Sequence, residues 1–496
     1  MSTAATDTSN MTLHQAAVAW LVYEIIKTAW NISPFHPLSK IPGPRLAAAT
    51  YLPEFYYDAI KFGKYTTKIK QWHGIYGPII RISPNEVHCN DILFANEIYS
   101  PANRRRDKPI HQVRGTATIA HAVFSTADYE KHRIRRNALA KLFAREKVTK
   151  LEPKVHTNVQ LLCNKILAVG KTPFDITTAY GCYSADMITD YAFGESFGFL
   201  HQDSWEPNIR GPAKSILKPI ITKFIVLDKV DVPNIIKKTK AETEAGVQDD
   251  VTIFGSLLQS SLPEDEKTVA RLSSEATALI GAATDTVSWA LTVITFHLLT
   301  QPNLLERLHN ELSEVYDGGD HLPQWSTLEK LPYLSAIIWE GLRLSYGVSA
   351  RTARIAPNED LVYNGEWQPQ DNRKPITVTY VIPKGFAIGM STLISHHDEN
   401  YFPDSEKFDP QRWLDEKQQR NRKLEQNLII FSKGSRVCLG QNLAFCEIYL
   451  ALTALVIRVF PRLKLYETTQ EDISYDHDMF NPIPKAETKG IRAVIV

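Results

Sequence analysis

The sequence feature that most constrains this chain is residues 431–440, FSKGSRVCLG, near the C-terminus. They place one cysteine, Cys438, in a loop that also carries two glycines and an arginine, and the apolar run that follows from residue 443 predicts a helix. A cysteine at a helix N-terminus lies near partly positive backbone N–H groups, which lower the thiol pKa and favour the thiolate. A lone cysteine is more often a buried structural residue. The interpretation of Cys438 as a ligand therefore depends on its neighbours.

The neighbours of Cys438 suit a flat ligand that carries carboxylates. Gly434 can adopt the positive φ of a turn that directs backbone N–H groups towards the sulfur. Gly440 leaves out a side chain where the following helix would approach the ligand, and Phe431 could shield the sulfur from water. Arg436 offers a forked pair of donors to a carboxylate. These residues predict an axial thiolate ligand for a haem iron, with a haem propionate at Arg436.

Written as a pattern, the stretch is F-x-x-G-x-R-x-C-x-G. At average residue usage this pattern should arise by chance in about one chain of this length in ten thousand. It is the haem-binding signature of the cytochrome P450 family, and the chain resembles that family from about residue 37 to its end. Ser432 departs from the family, in which a glycine often follows the phenylalanine. The resemblance implies a mainly α fold with a smaller β-rich region, and a haem buried between a long oxygen-binding helix and the cysteine loop.

Composition and charge argue against several other classes of protein. Hydrophobic residues make up 44% of the 496 residues and charged residues 22%, which is ordinary for a globular protein with a large core. The net charge of +1 gives no support for binding to nucleic acid. The five cysteines are widely scattered and have neither a disulfide framework nor zinc spacing. We therefore expect the bulk of the protein in a reducing compartment.

The N-terminal residues differ from the rest of the chain. Residues 16–30 are apolar but are interrupted by Glu24 and Lys27, so a membrane-spanning helix and an interfacial or buried helix both stay open. The Pro-rich segment that follows is a stiff connector that cannot be helical. The sequence thus predicts three parts: a membrane anchor or interfacial segment, a hinge and a haem-thiolate catalytic domain (residues 1–33, 34–44 and 45–496).

An apolar N-terminus with such a hinge resembles the endoplasmic reticulum anchor of microsomal family members. Basic residues lie at or beyond the end of the apolar run, namely Lys27, Lys40 and Arg45. By the positive-inside tendency they predict a catalytic domain that faces the cytosol.

Two further segments are predicted to hold the haem propionates. Residues 128–146 predict a helix on which His132 and Arg136 are one turn apart and share a face. A basic surface helix would show the same pattern, but in the family a W-x-x-x-R pair on this helix holds a propionate, and here His132 replaces the tryptophan. Further along the chain, the resemblance favours Arg354 as a propionate donor, with Arg351 as the second choice.

Residues 271–300 predict a long apolar helix that contains an Asp-Thr pair, Asp285 and Thr286. Such a pair is costly in an apolar setting unless it is hydrogen-bonded, and a threonine hydroxyl can bond to the carbonyl one turn earlier and open the helix. The segment resembles the family's oxygen-binding helix, although Ala283 replaces its usual glycine and Val287 its second threonine or serine. The resemblance implies that Asp285 and Thr286 are catalytic and deliver protons. A bent structural helix is the alternative.

The remaining motifs concern structure and docking. Glu340 and Arg343 match the family's E-x-x-R motif, which implies a buried network with Arg412. Residues 346–352 and 478–480 are expected to line the substrate pocket. A cluster of basic residues could dock an acidic reductase; its members are Lys417, Arg420, Arg422, Lys423 and Lys433. A charged loop that is merely solvated explains the same residues equally well.

The resemblance implies a monooxygenase that contains haem b (iron protoporphyrin IX) and inserts one oxygen atom of O2 into a small hydrophobic substrate by hydroxylation or epoxidation. Electrons would come from NADPH through NADPH-cytochrome reductase, with cytochrome b5 as a further partner, at the endoplasmic reticulum membrane. A monomer is expected, and no nucleic acid.

The hinge and the residues RLAAAT after it resemble filamentous-fungal enzymes of secondary metabolism, near the trichodiene oxygenase type. A terpenoid, polyketide or alkaloid substrate is therefore expected, including those of mycotoxin pathways.

Two other functions stay open. A haem-thiolate isomerase or peroxide-rearranging enzyme would usually lack the acid–alcohol pair, so Asp285 and Thr286 argue against it. A haem sensor would bind haem without turnover.

Overall fold

Helices dominate the fold, as the sequence predicts. The computed structural model describes residues 3–101, 104–114, 117–206, 208, 232–246, 252–316, 318–319, 321–369 and 374–496. Over these residues the α-helices, in chain order, are α1 (Thr3–Ile32), α2 (Arg45–Ala49), α3 (Leu52–Phe55), α4 (Tyr65–Tyr76), α5 (Ala95–Ile98), α6 (Ile110–Arg114), α7 (Tyr129–Ala140), α8 (Arg145–Ala168), α9 (Ile176–Phe193), α10 (Val232–Glu244), α11 (Ile253–Gln259), α12 (Val269–Thr300), α13 (Pro302–Ser313), α14 (Trp325–Leu328), α15 (Pro332–Ser345), α16 (Thr392–Ser395), α17 (Arg422–Glu425) and α18 (Gln441–Ala454).

The strands are short and form small sheets. In the described residues they are β1 (Ile79–Ser83), β2 (Glu86–Cys89), β3 (Phe174–Asp175), β4 (Arg354–Ile355), β5 (Leu361–Trp367), β6 (Ile376–Ile382), β7 (Ala387–Gly389), β8 (Leu463–Leu465), β9 (His477–Met479), β10 (Asn481–Ile483) and β11 (Arg492–Ile495). They build a four-stranded sheet in the order β1-β2-β7-β4, a three-stranded sheet in the order β3-β11-β8 and the pairs β5-β6 and β9-β10. The mainly α fold with a smaller share of β structure is confirmed.

Contacts within the chain divide it into two compact units. The first comprises Met1–Ile98 and Arg351–Met390, and the second comprises Tyr99–Ala350 and Ser391–Val496. These boundaries differ in kind from the predicted anchor, hinge and catalytic domain, and that division stays a prediction.

In the first unit, the Pro-rich connector packs against β1. It forms turns rather than a helix, as predicted. The backbone N–H of Arg81 in β1 donates to the Pro42 carbonyl at 2.7 Å, and the Arg81 guanidinium donates to the Asn31 carbonyl at the end of α1 at 2.9 Å. Leu38 in the connector is fully buried. The end of α1 and the connector are therefore held to the sheet by hydrogen bonds and by burial of apolar surface.

In the second unit, the core surrounds α9 and α12. Every residue of α9 except Asp190 is buried, which explains why this helix is apolar on all faces. α12 packs against α9, α15 and α18. Among the described residues two helical segments, Val269–Thr300 and Gln441–Arg462, are long and apolar enough to cross a membrane, but most of each lies buried inside the protein. Their apolar character is therefore accounted for by the core.

The predicted E-x-x-R network is confirmed in this unit. Glu340 and Arg343, both fully buried, form a two-point ion pair with N–O distances of 2.8 Å, and Arg412 Nε lies 3.1 Å from Glu340 Oε1. Two more donors bind the same carboxylate, the Trp413 indole N–H and the Asp409 backbone N–H, each at 2.8 Å, and the motif does not predict them. A buried carboxylate needs several such donors to offset its loss of hydration.

Candidate active site

The cysteine loop is closed by its own backbone. The N–H of Cys438 donates to the Phe431 carbonyl at 2.8 Å, and the N–H of Val437 donates to the Gly434 carbonyl at 3.1 Å. Because Gly440 is the N-cap of α18, Cys438 lies two residues before the cap, at the positive end of that helix. The predicted placement of the cysteine before a helix is therefore confirmed.

Two residues of this loop have positive φ. Gly434 has φ 68°, as predicted, and a Cβ there would overlap with the carbonyl oxygens of Tyr99 and Ser100. Ser432 has φ 59°, which explains why glycine is common at its position in the family. Its hydroxyl is buried and has no hydrogen-bond partner among the described residues.

Cys438 is exposed as a residue, whereas Cys89, Cys163, Cys182 and Cys446 are buried, and all five cysteines are free. Protein atoms nevertheless surround the thiol, and this burial raises its pKa, while the Gly440 N–H and the Arg136 charge act in the opposite direction. The sequence predicts the downward effect of the N–H groups on this pKa but not the upward effect of burial. The helix-end effect is present, but desolvation of the thiolate outweighs it.

Arg436 connects the cysteine loop to two other segments. It is buried, and its guanidinium donates to the carbonyls of Thr126 and Ala127 at 2.7 Å and of Arg106 at 3.2 Å. Nothing near Arg436 in the sequence indicates these carbonyl acceptors, because they lie more than 300 positions away in the chain. A propionate contact for Arg436 stays a prediction.

His132 and Arg136 lie on α7. The predicted helix over residues 128–146 is correct at its start, where Asp128 caps the Lys131 N–H at 2.8 Å, but it ends at Ala140, and α8 is a separate helix. His132 is buried. Arg136 is close enough to Cys438 for the two charges to interact, and burial lowers its pKa.

The neighbouring Arg135 has a different role that the sequence did not reveal. Its guanidinium forms a buried two-point ion pair with Glu266 at 2.7 and 2.8 Å. Arg271 in α12 contacts the same carboxylate at 3.0 Å. This pairing ties α7 to the start of α12 and leaves Arg136, not Arg135, as the cation near the cysteine.

α12 carries the acid–alcohol pair. The Thr286 hydroxyl donates to the Ala282 carbonyl at 2.9 Å, which confirms the predicted bond one turn back, yet the helix stays α-helical through this point and is not opened. Ala282 is exposed although it lies in the middle of a largely buried helix. Asp285 is half-buried, and its Oδ2 accepts the Asn481 side-chain N–H at 3.4 Å.

The two segments expected to line the substrate pocket lie beside each other. The N–H groups of Ser349 and Ala350 donate to the Phe480 carbonyl at 3.1 and 3.3 Å. The Phe480 ring packs edge-on against Phe124 with centroids 5.3 Å apart, and both rings are partly exposed. Phe124 was missed by the sequence analysis, since nothing local marks it.

The two arginines of the first unit differ. Arg354 begins β4 and is buried, and its guanidinium donates to the Ala353 carbonyl at 2.9 Å. Arg351 forms ion pairs with three carboxylates, those of Glu54, Asp58 and Glu86, and their charges raise its pKa although burial acts in the opposite direction. Its guanidinium also lies over the Tyr65 ring. This set of partners argues against a propionate at Arg351.

The basic cluster is partly neutralised within the protein. Arg420 forms a two-point ion pair with Glu425 at 2.8 and 3.0 Å, and Arg422 lies 3.6 Å from the same residue. Lys433 donates to the Gln426 carbonyl at 2.7 Å. A cleft of about 650 Å³ adjoins this cluster and the start of α18, and among its lining residues are Arg145, Arg420, Arg422 and Gln441.

These residues fit a haem. Of the five cysteines, Cys438 is the exposed one, and a Cβ at Gly440 would meet no residue within 4 Å, so the backbone there can lie close to a flat group. Arg136 has no hydrogen bond or ion pair to any residue that the structure describes, which leaves its charge available to an anion such as a propionate. Elsewhere in the described residues no cluster of three His, Cys, Asp or Glu offers another metal site.

Comparison with known proteins gives the same family. The chain matches the family "Cytochrome P450" over residues 60–224 and 231–489. It is 38% identical to the cytochrome P450 monooxygenase ppzE of Metarhizium majus, over 88% of this chain and 97% of that one. It is 34% identical to the N-acetyltryptophan 6-hydroxylase ivoC of Emericella nidulans (92% of each chain). It is 35% identical to the conidiogenone synthase of Penicillium rubens (93% and 94%). The chain belongs to the cytochrome P450 family and is a haem-dependent monooxygenase.

Proposed function

We propose that Cys438 Sγ is the axial ligand of the haem iron in this monooxygenase. The observation that carries the proposal is the exposed Cys438 at the positive end of α18, where the Gly440 N–H and the Arg136 charge offset part of the desolvation of the thiolate. When bound, the haem supplies the activation of O2 and the transfer of one oxygen atom to the substrate. Phe431, Gly434 and Gly440 shape the loop that presents the sulfur.

The propionates are proposed to bind to Arg136, with His132, Arg354 and Arg436 as further donors. Arg136 is the best supported of these, because its guanidinium has no hydrogen bond or ion pair to a described residue and interacts only at longer range with Cys438. The carbonyl contacts of Arg436 keep its guanidinium in one orientation beside the loop.

Proton delivery is proposed to involve Asp285 and Thr286. The bond from Thr286 to the Ala282 carbonyl uses the single hydroxyl proton of Thr286 and holds its oxygen beside the exposed Ala282, where the oxygen lone pairs can accept a hydrogen bond from a water. Asp285 is half-buried and can exchange protons with solvent through water.

Electrons are proposed to come from NADPH through NADPH-cytochrome reductase, with cytochrome b5 as a second donor. The cleft beside the start of α18 supports docking of an acidic partner there, because Arg145 and Arg422 on its wall are at least half exposed. α1 supports attachment to a membrane, since large apolar residues such as Trp20, Ile25 and Ile26 are exposed on it, and the membrane proposed is that of the endoplasmic reticulum. The protein is proposed to be a monomer. The catalytic domain would face the cytosol.

The substrate is proposed to be a small hydrophobic molecule of fungal secondary metabolism. The similar proteins include an N-acetyltryptophan 6-hydroxylase and a conidiogenone synthase, whose names denote unlike compounds. Hydroxylation or epoxidation of a terpenoid, polyketide or alkaloid is consistent with this range.

The carbon monoxide difference spectrum of the reduced protein tests the ligand. We expect a strongly red-shifted Soret band, which Cys438→Ser should abolish. Cys446→Ala, within α18 eight residues further along the chain, is the control and should keep the band. An unchanged spectrum in the Cys438 variant would contradict the assignment.

Turnover separates the remaining functions. A monooxygenase should consume NADPH in a substrate-dependent way and incorporate one atom of labelled O2 into the product. Rearrangement of a peroxide without NADPH would favour the isomerase type, and haem binding without turnover would favour a sensor.

A further inference from the structure

We infer that Asn481 is a positioning residue that holds the Asp285 carboxyl group for proton delivery. The inference rests on the proposed function, in which Asp285 supplies protons. Asn481 is the first residue of β10, and its Nδ2 donates to Asp285 Oδ2 in α12 at 3.4 Å, across 196 positions of the chain. No sequence motif links these two residues.

Asn481 is held in place independently of this bond. It pairs with Met479 across the β9-β10 hairpin, and Phe480 at the tip has φ 82°. A non-glycine residue in this region costs about 1–2 kcal/mol and persists only where the surroundings require it. Here the Phe480 carbonyl accepts two backbone N–H groups, from Ser349 and Ala350, and its ring packs on Phe124. The tip is thus fixed, and it presents the Asn481 amide to α12.

The amide suits both protonation states of the acid. An ionised carboxylate only accepts hydrogen bonds, so the amide nitrogen must face Asp285. A protonated carboxyl donates, and a rotated amide would accept from it through Oδ1. Asn481 Oδ1 is buried and has no hydrogen-bond partner among the described residues, so its acceptor capacity is not committed elsewhere. Asn481 can therefore hold Asp285 before and after the carboxyl group gives up its proton.

Three substitutions separate these properties. Asn481→Leu keeps the volume but removes both donor and acceptor, Asn481→Asp keeps the shape but removes the donor, and Asn481→Gln keeps both groups on a longer chain. We expect the ratio of product to NADPH consumed to fall by about fivefold in the Leu and Asp variants, the effect of one hydrogen bond, with peroxide rising to match. Gln should recover part of the ratio. Asn158→Leu on α8 is the control, because within the described part of the chain the Asn158 amide donates to the Lys154 carbonyl of its own helix and to the Met187 sulfur.

The solvent isotope effect distinguishes positioning from a general loss of structure. If Asn481 orients the proton donor, the effect on product formation should increase in the Leu variant while the carbon monoxide spectrum stays unchanged. The inference would be overturned if all three variants kept the native ratio of product to NADPH consumed and the native solvent isotope effect. Should Leu prevent folding, the Asp variant provides the same comparison.

A double-mutant cycle in chemical unfolding gives a readout without turnover. Asn481→Leu should destabilise the native sequence more than it destabilises the Asp285→Ala variant, because the contact is already lost there. Additive effects would show that the two side chains do not interact and would overturn the inference. Failure of the proposed function would look different: the native protein would lack the thiolate spectrum or NADPH-dependent product, whatever the cycle showed.

Discussion

The Thr286 hydroxyl donates a hydrogen bond of 2.9 Å to the Ala282 carbonyl, one turn earlier in α12. We predict that Thr286→Ala keeps the haem but lowers the product formed per NADPH by about tenfold or more, because proton delivery loses a positioned hydroxyl oxygen that can hold a water. Peroxide and product are measured together. Thr300→Ala removes a hydroxyl with the same 2.9 Å bond, to Phe296, at the far end of the helix and should leave this ratio unchanged. If Thr286→Ala formed as much product per NADPH as the native protein, the proposed role of Thr286 would be refuted.

Gly434 should tolerate no side chain. Gly434→Ala combines a positive φ with overlap of Cβ with two backbone carbonyls, so we predict loss of most bound haem and a clearly lower melting temperature. Gly198→Ala is the matched control, because Gly198 has φ 75° but open space around it, and it should cost only about 1 kcal/mol. Equal effects of the two substitutions would mean that the contact with residues 99–100 is unimportant.

Ser432 should make the folded protein less stable than glycine at the same position would. Ser432→Gly relieves the positive φ, and it also removes a buried hydroxyl that has no partner among the described residues. We predict stabilisation by about 1 kcal/mol, since the larger backbone entropy of glycine in the unfolded chain offsets part of the gain. Ser432→Ala removes only the hydroxyl, and its smaller effect separates the two contributions. Chemical unfolding measures both, and a destabilised Gly variant would contradict the explanation.

Glu340 should be structural rather than catalytic. Its fully buried carboxylate accepts from Arg343, Arg412, Trp413 and the Asp409 backbone, so Glu340→Gln leaves buried cations uncompensated and should cost about 3–5 kcal/mol. Glu146→Gln breaks an exposed i, i+4 pair with Lys150 on α8, and solvent screening of this pair means that the substitution should change the free energy of unfolding little. Unfolding in urea compares the two. Similar small losses would show that the network is not important for stability.

Acid should weaken the first unit through His73. Its Nδ1 lies 2.7 Å from the Gly77 carbonyl and its Nε2 lies 2.7 Å from His88 Nδ1, and burial lowers the pKa of His73 to about 4. The unfolded chain therefore binds a proton from about pH 6.5 downwards, whereas the folded protein does so only near pH 4. The contribution of His73 to the free energy of unfolding is constant above pH 6.5. It decreases by about 3 kcal/mol as the pH falls from 6.5 to 4, and it is constant below pH 4.

Urea unfolding at several pH values checks this behaviour. His73→Gln should flatten the decrease between pH 6.5 and 4, whereas His309→Gln, at an exposed position, should leave it unchanged. An unaltered pH dependence in the His73 variant would rule out this source of acid sensitivity.

Much of the site could be predicted from short patterns. The positive φ at Gly434, the helix after Cys438, the bond from Thr286 to its own helix and the Glu340–Arg343 pair all lie within about ten residues of the motif that predicted them. Over such distances the backbone geometry of turns and helices leaves few alternatives, so residue type and spacing suffice.

The sequence by itself thus determined the family, the candidate ligand Cys438 and the acid–alcohol pair, because their chemistry is local. Tertiary structure alone decided the rest: the net upward shift of the Cys438 pKa, the engagement of Arg351 by carboxylates, the carbonyl acceptors of Arg436 and the contact between Asn481 and Asp285. Burial and long-range contacts depend on how distant segments pack, and no spacing in the sequence encodes them.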